Sequence, residues 1–240
     1  MIVTFTDFGW RGPYIGELEL CLSRAKVPVI HLFRDAPRFN PGLSAHLIAP
    51  FVSRFPKHTV FLGVVDPGVG TDSRNPVVLF ADDQWFVGPG NGLFDVIAAR
   101  ATSQVWFDIH WRPEQLSSTF HGRDLFAPIA VHIAQKHNVD TVCKENSLRL
   151  DASFGKGINR IIYIDSFGNC ITGVRAEDLT SGSTISVNGR QIRMMATFGD
   201  VAQGEALCFF NSSGLLEIAV NQGSAEEKLG LRVGSDIEFI

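Results

Sequence analysis

The chain has 240 residues, enough for one large domain or two smaller ones that each bury a core, and its 45% hydrophobic and 19% charged residues describe an ordinary globular composition. A formal net charge of −4 excludes the basic face with which proteins grip nucleic-acid phosphates, so no nucleic-acid partner is expected. No apolar run is long enough to span a bilayer, so no membrane partner is expected either.

The opening MIVTFTDFG goes straight into a strand pattern, over residues 2–6, with no basic n-region before it. An amphipathic helix is expected over 14–24, a strand over 27–32 and a helix over 43–52, closed off before Pro56. Residues 59–65 are nearly all apolar and read as a strand enclosed on both faces. Two short strands over 76–81 and 84–87 are joined at Asp82-Asp83, and helices are expected over 92–99 and 125–136. Strand–helix alternation with short connections favours a largely parallel sheet with helices on its faces.

After about Asn138 the rhythm changes to short strands, over 160–165, 171–174, 184–187, 191–195, 205–210 and 215–220, with a last extended segment over 236–240. Only 225–229 reads as helical there. Closely spaced strands with Gly, Ser, Asn and Asp between them point to a small β-barrel or sandwich. The expected architecture is therefore α/β plus all-β: an N-terminal α/β domain over 1–145 and a C-terminal small β-barrel or sandwich over 155–240, joined by a polar connector within 140–153. The four cysteines, Cys21, Cys143, Cys170 and Cys208, are scattered among apolar neighbours without a CxxC pair. That spacing reads as reduced, buried thiols, a cytoplasmic location and no zinc site.

Four segments carry candidate chemistry. In TDFG, Asp7 ends the first strand, where a carboxylate suits a bidentate contact to a ribose diol or, equally, caps the following helix. In VVDPGVGTDSR, Asp66 ends a buried strand and Arg74 returns a positive charge. The stretch is either a simple turn or a charged pair at the carboxyl end of a sheet strand, where open α/β folds bind their ligands. In STFHGRDLFAP, His121 sits before an expected helix that Asp124 is placed to cap. The H-x-x-D spacing also offers two metal ligands, without a further ligand cluster. In the C-terminal half, DSFGNCIT sets Asp, Phe and Asn around a Gly turn, and FFNSSGLLEIAVNQGSA is a hairpin whose turn, 211–214, is rich in small hydrogen-bonding groups.

Taken in order from Thr6 to Ala225, TDFG, VVDPGVGT…R, NGL, TFHGRD, FGN and NS-G-LEIAVNQGSA resemble the family of S-adenosylmethionine hydrolases, also called S-adenosylmethionine hydroxide adenosyltransferases, which is related to the fluorinase and chlorinase enzymes. The resemblance implies an N-terminal α/β domain, a C-terminal β-barrel and a homotrimer with active sites between subunits. It assigns Asp66, Arg74 and His121 to the set that handles water; the halide-using branch has aromatic residues at the first and last of these positions and an inserted loop not found here. It implies that Asp7 binds the ribose, that Phe39 faces the sugar or base, and that Phe120 and Gly122 flank His121. Asp165, Phe167 and Asn169 match residues that grip the methionine amine and the adenine. Ser212 and Ser213 match a carboxylate-binding turn, and Val220 and Gln222 a backbone edge for adenine. The chain departs from the family pattern at Gly12, where an acid is usual, at Gly90, where Asp is usual, and at Arg34, where His is usual.

The implied reaction splits S-adenosylmethionine into adenosine and L-methionine. The sulfonium leaves as neutral methionine, so the chemistry needs no general acid, no metal and no cofactor, only a water held in line with the C5′–S bond. On this reading Asp66 and His121 both accept hydrogen bonds from that water while Arg74 neutralises Asp66. Two other readings stay open: a nucleoside or S-adenosylmethionine binding module without catalysis, and a metal-assisted hydrolase using His121, Asp124 and Asp66.

Overall fold

The computed structural model describes residues 1–146, 152–179 and 184–240. Positions 147–151, part of the expected connector, lie outside the described residues, and the chain separates into two compact units, Met1–Gly155 and Lys156–Ile240.

Unit 1 is built on a seven-stranded sheet in the order β2-β1-β3-β5-β4-β6-β7, with β1 Ile2–Thr6, β2 Val29–Phe33, β3 Val60–Val64, β4 Pro76–Ala81, β5 Gln84–Pro89, β6 Gln104–Ile109 and β7 Cys143–Asn146. β2, β1, β3 and β5 pair in parallel, while β4 and β7 run against their neighbours, so five of the seven strands share one direction. β1 and β3 are central, and each of their five residues is buried, which is why both read as continuous apolar runs. Residues of alternate parity serve the two faces. Ile2, Val60, Leu62 and Val64 meet α1 (Tyr14–Leu22) through Leu18 and Leu22, and α4 (Ala127–Ala134) through Ile129, Ala130 and Ile133. Phe61 turns the other way and stacks on Phe86, ring centroids 5.0 Å apart, with Phe94 closing over Phe86 at 5.8 Å. Each of these fully buried rings contributes about 2–3 kcal/mol by removal from water.

α2 (Pro41–Ile48) starts where Asn40 accepts a hydrogen bond from Leu43 N at 3.0 Å, with Pro41 in the first turn. A tighter 3-10 turn, Ala49–Arg54, completes the segment expected as helix up to residue 52. The β4–β5 hairpin turns at Asp82 and Asp83, both with positive φ, +45° and +65°, as a two-residue turn requires. α3 is shorter than expected, Asp95–Arg100. Two strands escaped the sequence reading: β6, paired with β4 and β7, and β7 itself at the sheet edge.

In unit 2, β12 (Ala206–Phe210), β13 (Leu215–Val220), β9 (Cys170–Arg175) and β8 (Ile158–Ile164) form one antiparallel sheet. β11 (Arg190–Ile192), β10 (Ile185–Val187) and β14 (Glu238–Phe239) form a second. They share an apolar core that includes Ile161, Ile185, Cys208 and Ile218. The ladders make two sheets rather than one closed circuit, so the observed class is mixed α/β with smaller antiparallel sheets. The short helix α5, Ala225–Leu229, is capped by Ser224 Oγ, which accepts from Glu227 N at 3.1 Å, and ends at Gly230 with φ +64°. Cys143, Cys170 and Cys208 are buried and their thiols are pushed up to about 12 by desolvation, whereas Cys21 is half-buried. Among the described residues, no helix is long and apolar enough to cross a membrane.

Candidate active site

The chain leaves β1 toward β2 on one side and later reaches β3 on the other, so the sheet's topological switch point lies between β1 and β3. Asp7 follows the end of β1, and Asp66 comes two residues after β3. Asp7 N donates to Val64 O at 3.4 Å, tying the two strand ends together. A pocket of about 100 Å³ opens there, lined by Asp7, Phe8, Phe39, Asp66, Phe120 and His121, with Val64, Val69, Thr119 and Gly122 completing the wall.

Asp66 and Arg74 form a bidentate pair. Arg74 Nε donates to Asp66 Oδ1 at 3.0 Å and Nη2 donates to Oδ2, and both side chains are only 4% exposed. The loop between them folds on itself through Val69 N to Asp66 O and Thr71 N to Gly68 O, each at 3.2 Å. It also lies against the loop that carries His121: a Cβ at Gly70, which has φ +77°, would sit 2.1 Å from Ser118 O, so only glycine allows this approach. Arg74 Nη2 then reaches His121 Nδ1 at 3.1 Å.

That last contact fixes a tautomer. A guanidinium donates and never accepts, so Nδ1 is the acceptor and the neutral ring carries its proton on Nε2. Burial holds the His121 pKa below its ordinary value, the Arg74 charge adds to this, and Asp66 opposes it. His121 is therefore a neutral imidazole near pH 7, not a second cation in the pocket.

Asp7 Oδ2 accepts from Phe39 N at 3.1 Å. Burial raises the Asp7 pKa, while the Phe39 amide and the Arg38 charge oppose the rise. The capping alternative for Asp7 falls away, because α1 begins at Tyr14 with Pro13 before it and no side-chain cap. Phe39 is 75% exposed and holds φ +58°, an unfavourable conformation for a bulky residue, which the Asp7 carboxylate helps to fix. Asp124 does not cap a helix either. A single π-helical turn, Gly122–Phe126, precedes α4 and takes Asp124 inside it; the carboxylate accepts from Ser117 N at 2.9 Å and pairs with Arg123 at 2.6 Å. Arg123 also pairs with Glu17, 2.5 Å away, on α1.

Unit 1 thus gathers Asp7, Phe39, Asp66, Phe120, His121 and Gly122 around one pocket, with Arg74 behind Asp66 and His121. Phe8, Val69 and Thr119 were missed. Phe8 lies inside the TDFG segment itself and packs edge-on against Phe120, centroids 5.6 Å apart. No group of three or more His, Cys, Asp or Glu side chains among the described residues is arranged to hold a metal ion.

In unit 2 the predicted residues fall at two ends of the four-stranded sheet. The β8–β9 turn is organised by Asp165: Oδ1 accepts from Phe167 N and Asn169 N, both at 2.9 Å, and Oδ2 from Asn169 Nδ2 at 3.0 Å. Phe167 projects, 76% exposed. The same end of the sheet carries Val220 and Gln222, since Cys170 pairs with Ile218 and Gly168 O accepts from Glu226 N at 3.0 Å. The Val220 side chain is buried in the core, and Gln222 holds φ +54°. Ser212 and Ser213 sit in the β12–β13 turn, where Asn211 Oδ1 accepts from Ser213 N at 2.8 Å. The length of β13 separates that turn from Val220, about 17 Å at ~3.4 Å per residue.

The model of the SAM hydroxide adenosyltransferase N-terminal domain matches residues 2–143 and that of the C-terminal domain matches residues 159–238. The chain is 33% identical to an (R)-S-adenosyl-L-methionine hydrolase of Thermus thermophilus, over 98% of this chain and 97% of the relative. It is 32% identical to one of Salinispora tropica, over 95% and 93%. A solved structure of a conserved protein from Thermotoga maritima superposes with a TM-score of 0.84 at 31% identity, covering 100% of this chain and 99% of that one. The chain belongs to the SAM hydroxide adenosyltransferase family.

Proposed function

We propose that this protein hydrolyses (R)-S-adenosyl-L-methionine to adenosine and L-methionine, with Asp66, Arg74 and His121 as its catalytic residues. The observation that carries the reading is the Asp66–Arg74–His121 chain at the wall of the switch-point pocket. Water attacks C5′, the C5′–S bond breaks with its electron pair remaining on sulfur, and the water's proton passes to Asp66 and then to solvent. One sulfonium charge is lost and one proton is released per turnover. Both Asp66 oxygens already accept from Arg74, yet each keeps a second lone pair for the water. His121 supports the same water as a donor through Nε2–H rather than as an acceptor, a refinement that follows from its tautomer.

Asp7 and Phe39 are assigned to the ribose and base, with Phe120 and Gly122 shaping the reaction end of the pocket. In unit 2, Asp165, Phe167 and Asn169 with Val220 and Gln222 form one substrate-binding end. Ser212 and Ser213 serve the same molecule only if it lies extended along β13. The Arg160–Asp236 and Met194–Cys208 bridges support the reading of unit 2 as a small barrel. The assembly is a homotrimer with active sites between subunits, and the location is cytoplasmic.

The test is chromatography of the purified protein with each sulfonium epimer of S-adenosylmethionine. Adenosine and methionine in equal amounts from the (R) form support the reading; tight binding in calorimetry without product would make the protein a binding module instead. Light scattering distinguishes a trimer from a fully active monomer, which would remove the shared-site assignment.

A further inference from the structure

Gly90 and Asn91 follow β5 directly and reach the two arms of the Asp66–Arg74 pair through the backbone. Gly90 N donates to Asn75 O at 2.7 Å, and Asn75 is the residue after Arg74. Asn91 Nδ2 donates to Val65 O at 2.9 Å, and Val65 is the residue before Asp66. We propose that Gly90-Asn91 is a positioning clamp: one dipeptide sets the separation of the loops that carry Asp66 and Arg74 and, through Arg74, the seat of His121. The proposal deepens the hydrolase reading and rests on it for the roles of those three groups. Asn91 acts through them and is a positioning residue.

Three observations carry the clamp. The Gly90–Asn75 bond continues the antiparallel β4–β5 ladder beyond its Pro76–Pro89 pair, so the loop entering β4 is held by the sheet itself. No side chain fits at Gly90 without displacing that loop, since a Cβ there would lie 2.9 Å from both Asn75 O and Val77 Cγ1. The Asn91 amide has a fixed sense, because reversing it would set its oxygen against the Val65 carbonyl, acceptor facing acceptor. Its own Oδ1 is buried without a hydrogen-bond partner. Half of the side chain is thus spent on an unmet acceptor, so what Asn91 supplies is the donor that holds Val65. An apolar residue of equal size would remove both the unmet acceptor and the tether, and the two effects separate in experiment.

The test compares Asn91→Leu with wild type, and with Asn91→Asp, which keeps the shape but replaces the donor by an acceptor. The first readout is the His121 imidazole titration by NMR, assigned with His121→Gln. Arg74 and Arg112 are the cations acting on this ring, and Asp66 and Asp124 the anions. With Val65 released, the Asp66–Arg74 pair shifts against His121 and the titration moves from its wild-type position. Asn91→Leu is the deciding variant, since the new carboxylate of Asn91→Asp moves the titration by its own charge. The second readout is turnover: kcat falls about 10- to 100-fold, the scale of an ångström-sized misplacement, while KM stays within about two-fold and Asn91→Leu keeps its melting temperature. An unmoved His121 titration in Asn91→Leu overturns the clamp, as does a kcat loss that only tracks a fall in melting temperature. If the titration moves but wild type yields no adenosine, the clamp stands and the hydrolase reading falls. An active wild type with an unmoved titration gives the reverse.

Discussion

Removing one partner of the Asp66–Arg74 pair should cost far more than removing both. Each side chain is 4% exposed, so neither charge is screened when the other is lost. Arg74→Met keeps the apolar stem against Phe126, whose ring centre lies 5.4 Å from the guanidinium carbon, but leaves Asp66 buried and unpaired. Breaking a buried pair costs about 3–5 kcal/mol, against ~0–1 kcal/mol for an exposed one. At about 2–4 °C per kcal/mol for a unit of this size, the melting temperature should fall by roughly 6–20 °C. The double variant Asp66→Leu/Arg74→Met buries no charge and should return to within about 1–2 kcal/mol of wild type, or exceed it, because well-packed apolar pairs often replace buried ion pairs without loss. Urea unfolding of wild type, Asp66→Leu, Arg74→Met and the double variant measures this, and adenosine formation should be absent from the double variant despite its recovered stability. A single variant losing no more than ~1 kcal/mol, or a double variant no better than either single, would refute the buried-pair argument.

The pH dependence has a definite sign. The fold favours neutral His121, so its contribution to stability is fully present above the ordinary histidine pKa of 6.5 and is lost as pH falls through the lower folded value. Adenosine formation should therefore hold level from pH 7 to 6.5 and decline only below that; a decline already complete at pH 7 would contradict the Arg74–Nδ1 contact. At Phe39, with φ +58°, Phe39→Gly should be about 1 kcal/mol more stable than Phe39→Ala, because glycine adopts that conformation without the clash a Cβ brings. Both should raise KM about ten-fold by removing the exposed ring, and equal stability of the two would mean the backbone relaxes instead.

What the sequence disclosed follows from how locally each feature is determined. β1 and β3 are buried on both faces, so their apolar runs are visible without any partner, and the acids that end them, Asp7 and Asp66, mark the carboxyl edge of the sheet. β6 is different. Its neighbours β4 and β7 are distant in the chain, and its half-buried Gln104, Val105 and Asp108 blur the pattern, so only the tertiary ladder defines it. Asp124 was misassigned because capping was judged from spacing alone. The π turn begins the helix earlier and commits the carboxylate to Ser117 and Arg123. Phe8 carries no polar group to mark it within TDFG, and its place in the pocket wall shows only in the fold, where it packs against Phe120. Strand spacing over 155–240 leaves barrel and sandwich open, because it does not say whether the last ladder forms, and the barrel itself was implied by the resemblance; two sheets and three isolated bridges are what the described residues hold.

The shared guanidinium also divides the labour between the two groups first taken as equal acceptors. Arg74 donates to both Asp66 and His121, and because Nδ1 is committed as an acceptor, the imidazole has no free lone pair for a water's proton. The carboxylate does. Asp66→Asn should therefore remove the base and lower kcat by about 10²–10⁴-fold, measured at a temperature where the variant is folded. His121→Gln keeps an amide that donates and accepts, and should lower kcat only about ten-fold, the scale of one neutral hydrogen bond of ~1 kcal/mol and some misplacement. The kcat values of the two variants, read at saturating substrate, decide the matter. If His121→Gln is as damaging as Asp66→Asn, the imidazole takes the proton after all, and Arg74 must release Nδ1 when substrate binds.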